Sequence, residues 1–318
     1  MKWNHTLDNT VRKCQRQAFL RNRFACHAAT KGSLRHETFL LKQALDLSAW
    51  KGRLVHTAIS QWIIPELKQR RWPNFEQVKR QALDLVTKQR EFSQRSLYRR
   101  SSKKAAADEY CVLRADYHGT ELTRTEIEEV RESVVNALDV LQHNHRALLE
   151  RVLNARRSEV EKELRFYLDN VILIEATPDL IVFESGERWA IVDWKVWERL
   201  KGNARDQLHA YAFTVLRCGW WPELRIDGLE LIEANLITGE PTIHHFTEDD
   251  FEAVDDRIFT GSELLRPVFE SDIKSCVPGD FASAESPNVC HWCPVTEVCS
   301  GKLSAKRPEF QPVLLELF

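Results

Sequence analysis

The sequence predicts an α/β protein in which a mixed sheet is flanked by helices, and three changes of pattern along the chain support this. Residues 1–157 have mostly helical spacing of apolar residues, residues 158–270 contain short β-rich runs separated by turn signals, and residues 271–318 contain three closely spaced cysteines. We therefore expect an N-terminal helical region, a central sheet of about five strands with one helix crossing inside it, and a C-terminal cysteine segment.

Two long stretches of the first region have the pattern of amphipathic helices. Between Ser48 and Gln69 apolar residues recur at helical spacing, and Ser48 is available as the N-cap. Between Thr123 and Asn154 apolar residues form one face, with Glu and Arg on the other. The segment between these stretches, SLYRRSSKKAAADEY, is polar and rich in small residues, which predicts an exposed loop.

The second region changes to strand patterns. The runs VEKELRFYLDN, VILIEA, DLIVFES and RWAIVDWKV are β-rich and bounded by turn signals such as Asp169-Asn170, which predicts a meander of strands. The run NARDQLHAYAFTVLRCG predicts a helix that ends at Gly219. Two more strands are expected around Thr238-Gly239, in LELIEANLITGEPTIHHF.

Composition limits the class of protein. A net charge of −2 with 43% hydrophobic residues is ordinary for a globular chain, and no apolar run reaches the length of a membrane span. The first residues lack the features of a signal peptide, so we expect a cytoplasmic protein. The eight cysteines are too sparse for a secreted disulfide scaffold, which favours metal ligation for the C-terminal cluster.

Positive charge is concentrated in one segment. From Lys68 to Lys104 the chain has twelve basic residues against three acidic ones. Attraction of a polyanion and a solvated helix face explain this excess equally well, so both interpretations stay open.

The central strands carry three side chains suited to phosphodiester chemistry. Asp193 and Lys195 stand two residues apart in a predicted strand, so they point to the same face while Trp194 points away. An antiparallel neighbour that carries Asp179 would bring a second carboxylate alongside. Two carboxylates and a lysine suit a hard cation such as Mg2+, which polarises a phosphoryl oxygen and activates water. A single D-x-K triplet is more often an ordinary ion pair.

Further motifs stand in a definite order around this triplet. The chain presents G-x-x-x-H from Gly52 to His56, then Pro178-Asp179, then Asp193 to Lys195, then Q-x-x-x-Y from Gln207 to Tyr211. This order resembles the RecB-like branch of the PD-(D/E)XK nuclease superfamily, and the resemblance extends from about residue 10 to residue 300. The stretch from about 70 to 155 matches nothing in that pattern. The resemblance implies a restriction-endonuclease-like sheet flanked by helices.

The resemblance also implies roles for these residues. His56, Asp179 and Asp193 would bind Mg2+ or Mn2+, with Asp193 at a position where Glu is commoner. Lys195 would assist the attacking water, and Gln207 with Tyr211 would position the active site or the nucleic-acid backbone. The implied activity is metal-dependent, exonuclease-type cleavage of single-stranded DNA or DNA ends.

The C-terminal cysteines follow the pattern C-x2-C-x5-C, formed by Cys290, Cys293 and Cys299. A closed site needs a fourth ligand, and from the residues alone either Cys14 or Cys276 could supply it, with zinc or iron–sulfur as the metal group. The AddB-type subunits and iron–sulfur CRISPR-adaptation nucleases of the same branch imply a four-iron four-sulfur cluster whose fourth ligand is Cys14. Such a cluster would staple the first helix to the tail.

Two other interpretations remain. The chain has no G-x-x-x-x-G-K-S/T motif, so any unwinding must come from a partner such as a helicase or a defence-system protein. A subunit of such a complex that binds nucleic acid through a vestigial nuclease site is the main alternative, and a zinc-stapled protein without a nucleic-acid role is the third. Five tryptophans are candidates for stacking on unpaired bases, as in single-strand binders: Trp194, Trp197, Trp220, Trp221 and Trp292. Most of these side chains are nevertheless expected in the core.

Overall fold

A computed structural model describes residues 1–186, 188–197, 203–273 and 275–303, and these divide into two compact units. The first unit contains residues 1–44, 167–174 and the described part of 255–318. The second unit contains residues 45–166 and 175–254. Each unit therefore combines segments that are far apart in sequence. The three sequence regions expected above remain a prediction about domains.

Helices predominate among the elements. In chain order the α-helices of the described residues are α1 (His5–Lys13), α2 (Gln15–Phe19), α3 (Leu34–Gln43), α4 (Leu47–Ala58), α5 (Ile64–Lys68), α6 (Phe75–Gln94), α7 (Lys103–Ala106), α8 (Arg114–Tyr117), α9 (Arg124–His143), α10 (Arg146–Asn154), α11 (Asn203–Arg217), α12 (Glu248–Glu270), α13 (Pro287–His291) and α14 (Thr296–Cys299). The strands are β1 (Lys2–Trp3), β2 (Arg157–Val160), β3 (Leu164–Leu168), β4 (Ile172–Ala176), β5 (Leu180–Phe183), β6 (Trp189–Lys195), β7 (Leu229–Asn235) and β8 (Pro241–His244). Within the described residues, no helix is both long and apolar enough to cross a membrane.

The two long helical patterns form helices, with differences at their ends. The carboxylate of Asp46 accepts a hydrogen bond from the Ala49 amide at 2.8 Å and caps α4, so the expectation that Ser48 is the cap is wrong. Aspartate is as good a cap as serine, and it stands earlier in the chain. Thr123 and Glu126 form a capping box at the start of α9. The second pattern divides into α9 and α10 instead of forming one helix.

A five-stranded mixed sheet lies in the second unit, with the strand order β2-β5-β6-β7-β8. The pairs β2/β5, β5/β6 and β7/β8 are antiparallel, whereas β6 and β7 are parallel. Parallel neighbours need a crossover, and α11 supplies it between β6 and β7. The predicted mixed sheet of about five strands with one helix inside it is confirmed.

Two of the predicted strands lie in a different sheet. β3 and β4 form a hairpin that joins β1 in a three-stranded sheet of order β1-β4-β3. Asp169 and Asn170 make the two-residue turn, and both have positive φ values, of 50° and 57°. The edge of the five-stranded sheet beside β5 is taken by β2, whose sequence RSEV carries a weak strand signal.

Alternation along β6 separates a hydrophobic face from a polar site. Val192, Trp194 and Val196 belong to the hydrophobic core that the sheet shares with α4, α6, α9 and α10. The intervening residues, Asp193 and Lys195, therefore point to the opposite face of the sheet. The helix α11 packs against β6 and β7, and its side chains meet those charged residues as described below.

Candidate active site

The end of β6 places two opposite charges in a buried position. Asp193 is 2% exposed and Lys195 is 5% exposed. The Lys195 ammonium forms an ion pair with Oδ2 of Asp193. Because isolated charges are costly to bury, this pairing is what allows both groups to remain at the end of a buried strand.

Asp179 stands immediately before β5 and completes a carboxylate pair. Leu180 of β5 is the register partner of Val192, so Asp179 lies at the level of Asp193 across the antiparallel pair. Oδ2 of Asp179 accepts a hydrogen bond from the Trp194 amide at 2.9 Å, which fixes its orientation. Burial and the charge of Asp179 raise the pKa of Asp193 to about 7, although Lys195 opposes that shift.

His56 reaches the same carboxylate from α4. Its Nε2 lies 3.0 Å from the carbonyl oxygen of Trp194, and its Nδ1 lies 3.6 Å from Oδ1 of Asp179. A carbonyl oxygen can only accept, so Nε2 carries the proton in this hydrogen bond. Nδ1 is then the ring nitrogen that faces Asp179, on the side where a metal ion would bind. Metal-binding histidines are commonly oriented in this way, by a hydrogen bond from the other ring nitrogen.

The helix α11 contributes a polar chain that ends on the lysine. Oε1 of Gln207 accepts a hydrogen bond from Nζ of Lys195 at 3.0 Å, and Nε2 of Gln207 donates to the hydroxyl of Tyr211 at 2.6 Å. Gln207 and Tyr211 are four residues apart on one helix face. Burial raises the pKa of Tyr211, and the charges of Asp193 and Asp179 add to the shift. The Tyr211 side chain therefore stays a neutral phenol.

All six residues proposed from the sequence are thus brought together in the second unit, and their donor chemistry suits a hard divalent cation. Two carboxylates and an imidazole lie close together, and the two carboxylates repel each other when both are charged. A bound divalent cation would remove this repulsion. In the described part of the chain, however, no group of three His, Cys, Asp or Glu residues is already arranged to hold a metal ion. The Lys195 ammonium pairs with Asp193 instead.

Two neighbouring residues were not placed at this site by the sequence, although Trp197 is one of the tryptophans named above as candidates for base stacking. The ring centroid of Trp197 lies 4.9 Å from Nζ of Lys195, and its side chain is exposed. Glu233 of β7 is the register partner of Asp193 and pairs with Nε2 of His244 at 3.1 Å. The alternation of LELIEAN indicates which face Glu233 occupies, but the β6/β7 register that places it beside Asp193 is not visible in the sequence.

The first unit holds the cysteines in a separate pocket. Its lining includes all four proposed ligands together with apolar side chains such as Leu20 and Val289: Cys14, Cys290, Cys293 and Cys299. Cys14 caps α2, and its sulfur accepts a hydrogen bond from the Gln17 amide at 3.3 Å. Nη1 of Arg16 lies 3.9 Å from the sulfur of Cys299. Four cysteines line one pocket, with N–H donors directed at two of the sulfurs, and thiolates are the ligands that zinc and iron–sulfur clusters take. Within the described residues, however, no three of these cysteines are already arranged to hold a metal ion.

Cys276, the other candidate for the fourth ligand, is not among the residues that line this pocket. Its amide bonds to the carbonyl of Asp272 at 3.0 Å. Burial raises the pKa of the Cys293 thiol to about 11, and the nearby sulfurs of Cys14 and Cys299 contribute to that shift. The Cys293 thiol therefore lies close enough to the sulfurs of Cys14 and Cys299 to be affected by them.

The model of one protein family, the PD-(D/E)XK nuclease superfamily, matches residues 2–300. This match covers nearly the whole chain, so the protein belongs to the PD-(D/E)XK nuclease superfamily. The expected restriction-endonuclease-like α/β fold is thereby confirmed. Members of the superfamily are generally nucleases that act on nucleic acid, typically with Mg2+ or Mn2+. No match was found among curated proteins.

Proposed function

We propose that this chain is a metal-dependent deoxyribonuclease of the RecB-like branch, which hydrolyses phosphodiester bonds in single-stranded DNA or at DNA ends. The observation that carries this proposal is the connected set of Asp179, Asp193, Lys195 and Gln207 at the end of β6. Its cleavage is of the exonuclease type, in repair, recombination, CRISPR adaptation or phage defence, and a helicase or defence-system protein is the expected partner.

In this proposal His56, Asp179 and Asp193 hold Mg2+ or Mn2+. The bound ion would polarise a phosphoryl oxygen and lower the pKa of a water molecule. The protein's part is to orient the ligands, through the Trp194 amide on Asp179 and the Trp194 carbonyl on His56. A single backbone position of β6 thus aligns two of the three ligands.

Lys195 supplies a fixed positive charge beside these ligands. Its ammonium is held by Asp193 and by Gln207, so it needs little rearrangement when negative charge develops on a phosphoryl group. Tyr211 accepts the Gln207 hydrogen bond, which leaves its own hydroxyl proton for donation to a phosphate oxygen. Lys195 acts on the attacking water, Gln207 positions Lys195, and Tyr211 positions the nucleic-acid backbone through this hydrogen bond.

The cysteine pocket is proposed to hold a four-iron four-sulfur cluster, with Cys14, Cys290, Cys293 and Cys299 as ligands. The support is that these four sulfurs line one pocket of the first unit, whereas Cys276 does not line it. The cluster would staple the chain near α2 to the C-terminal segment. This is a structural role, and it is independent of the carboxylate site.

One observation favours the alternative function, a nucleic-acid-binding subunit with a vestigial site. The Asp193 carboxylate already has the Lys195 ammonium as its partner, and no three ligands in the described residues form a ready metal site. In that alternative Lys195 would be a permanent substitute for the metal. The two functions differ in whether the carboxylates bind Mn2+.

The experiment is a Mn2+ titration followed by electron paramagnetic resonance, together with DNA binding measured by anisotropy. We expect wild type to bind Mn2+, and Asp179→Asn and Asp193→Asn to lose this binding while they still bind DNA. Glu184→Gln is the matched control, because Glu184 follows β5 at its other end and pairs with Arg151 at 2.9 Å. Wild type that binds DNA but no Mn2+, with or without DNA, would select the vestigial subunit.

A further inference from the structure

An exposed tryptophan stands directly beside the buried charges of the active site. Trp197 follows Lys195 by two residues and is 46% exposed. Its ring centroid lies 4.9 Å from the Lys195 ammonium, which is within the range of a cation–π contact. The ring therefore covers a group that is itself 5% exposed, while much of the indole remains open to solvent.

The neighbouring tryptophans have evident structural roles, whereas Trp197 has none of that kind within the part of the chain that the structure describes. Trp194 is turned into the helical core, and Trp189 is buried with its Nε1 donating to the carbonyl of Arg225 at 2.9 Å. Among the described residues, the partner of the Trp197 ring is Lys195. An exposed indole that contributes nothing to the core but borders the reacting groups is suited to contact with a ligand.

We propose that Trp197 is a stacking platform for a nucleobase next to the phosphate that is cleaved, a proposal that rests on the nuclease function above. A nucleotide whose phosphate lies at Lys195 carries its base within reach of the adjacent indole. Aromatic side chains stack on bases of any sequence, because every base has a π-face. The contact therefore selects for an unpaired strand without selecting a sequence.

The strand preference follows from what the ring requires. A base within a duplex already has both faces covered by its neighbours, so it must leave the stack before it can lie on Trp197. For an unpaired base, or the last base of a frayed end, the free energy of unstacking is smaller. The substrate class that Trp197 favours is thus single-stranded nucleic acid and ends, and intact duplex interiors are disfavoured.

A position-specific test separates stacking from an effect on Lys195. The kcat/KM for single-stranded oligonucleotides is measured for wild type, Trp197→Ala and Trp197→Phe, with an abasic residue placed in turn at each position around the cleaved bond. We expect Trp197→Ala to lower kcat/KM roughly 5- to 100-fold on intact strands, and Trp197→Phe to recover most of the loss. One abasic position should lower wild type to the level of the alanine variant and leave that variant unchanged.

Trp72→Ala is the matched control. Trp72 is 36% exposed, and the guanidinium of Arg146 lies 5.0 Å from its ring centroid. It therefore shares exposure and a cation contact with Trp197, but no ring contact within the described residues joins it to a proposed site residue. We expect it to cleave every oligonucleotide as wild type does. The proposal would be overturned if kcat/KM of Trp197→Ala fell below that of wild type by the same factor wherever the abasic residue stood. The ring would then act through Lys195 and not through a base. Wild-type kinetics for Trp197→Ala would also overturn it.

The stacking proposal can be judged even if the nuclease function fails. Affinity for the same oligonucleotides is measured in EDTA, where no metal-dependent cleavage occurs. A platform predicts that Trp197→Ala weakens binding of the intact strand but not of the strand with the decisive abasic position. Equal affinities of wild type and Trp197→Ala for the intact strand would contradict it. Absence of cleavage by wild type with Mg2+ or Mn2+ would count against the nuclease function alone.

Discussion

Nζ of Lys195 lies 3.0 Å from Oε1 of Gln207, so the last residue of the central strand is tied to the helix that follows it. Lys195 also pairs with Asp193, and Gln207 is held in turn by Tyr211. The ammonium therefore has a defined position before any substrate arrives. In the proposed function, catalysis depends on this fixed lysine.

Replacing Gln207 with Ala should slow catalysis without unfolding the protein. Lys195 would lose the partner that orients its ammonium, and misplacement of a catalytic group commonly costs roughly 10- to 100-fold in rate. We expect kcat to fall by that factor with little change in KM or melting temperature. Gln61→Ala is the control, since the exposed Gln61 amide donates to the exposed carboxylate of Asp108 at 2.9 Å. A wild-type kcat for Gln207→Ala would show that Lys195 needs no such support.

Replacing Gly52 with Ala should affect stability and activity in opposite directions. Gly52 lies inside α4, and a Cβ added there would meet nothing within 4 Å. Because alanine favours a helix over glycine by about 1 kcal/mol, Gly52→Ala should stabilise the protein in thermal melts. Gly52 is one helical turn from His56, so we expect the same variant to cleave DNA more slowly through crowding of the substrate. Higher stability with unchanged activity would mean that the bare backbone has no role in binding.

The same substitution at Gly261 should have the opposite effect on stability. A Cβ there would overlap Oδ1 of Asp8. This carboxylate cannot move easily, because its Oδ2 is bound by Arg12 at 3.0 Å and by Arg257 at 2.8 Å. We expect Gly261→Ala to lower the free energy of unfolding by roughly 1–3 kcal/mol, as overpacking does. Chemical denaturation measures this. A stabilised Gly261→Ala variant would contradict the close packing of α1 on α12 in the first unit.

Removal of Cys14 tests the proposed fourth ligand. Cys14→Ala should lose the visible absorbance of an anaerobically purified cluster and melt at a lower temperature. Cys276→Ala is the matched control and should keep both properties, because Cys276 is not among the residues lining the cysteine pocket. The reverse pattern would assign the ligand to Cys276. A colourless wild type with stoichiometric zinc would replace the cluster with a zinc site.

The basic segment from Lys68 to Lys104 is partly neutralised by carboxylates. Ion pairs join Arg71 to Glu66, Lys79 to Asp139, Lys88 to Asp84 and Arg90 to Asp116. The exposed Lys88 pair on α6 supports the interpretation of a solvated helix face, whereas the Arg90 pair is buried, so this cation is withdrawn from solvent. The other interpretation, attraction of a polyanion, then applies to the last part of the segment, around α7.

Charge reversal tests that last part. Replacing Arg100, Lys103 and Lys104 with Glu should weaken DNA binding and reduce the dependence of log affinity on log salt by roughly one unit for each phosphate that the variant no longer neutralises. Lys88→Glu is the control, because Lys88 is already paired with Asp84 at 3.0 Å and should have a smaller effect. Unchanged affinity and unchanged salt dependence in the triple variant would show that the segment around α7 takes no part in DNA binding.

The sequence predicts those features that depend on local periodicity. Alternation along β6 places Asp193 and Lys195 on one face and Trp194 on the other, and the structure has this arrangement. Helical spacing likewise places Gln207 beside Tyr211. Features that depend on distant pairing are not predictable in this way. The contact of His56 with the Trp194 carbonyl joins residues 138 positions apart, and no local pattern encodes it.

The errors in the predicted fold have the same origin. The strand patterns of β3 and β4 are real, but local pattern does not say which sheet a strand joins, and the hairpin pairs with β1 instead of β5. The strand at the edge of the five-stranded sheet, beside β5, is β2. Its charged residues Arg157 and Glu159 make its sequence a weak strand signal. At α4 two capping residues stand two positions apart, and Asp46 is the N-cap because it precedes the first helical turn, whereas Ser48 lies within that turn.

The most direct test of the nuclease function is cleavage of end-labelled single-stranded and duplex DNA by anaerobically purified protein. Wild type is compared with Lys195→Ala in Mg2+ and in Mn2+, and with Lys79→Ala as a control lysine that pairs with Asp139 at 2.9 Å away from the site. We expect wild type and Lys79→Ala to cut DNA only when metal is added, while folded Lys195→Ala is inactive. Cleavage by Lys195→Ala at the wild-type rate, or an inert wild type with both metals, would contradict the account.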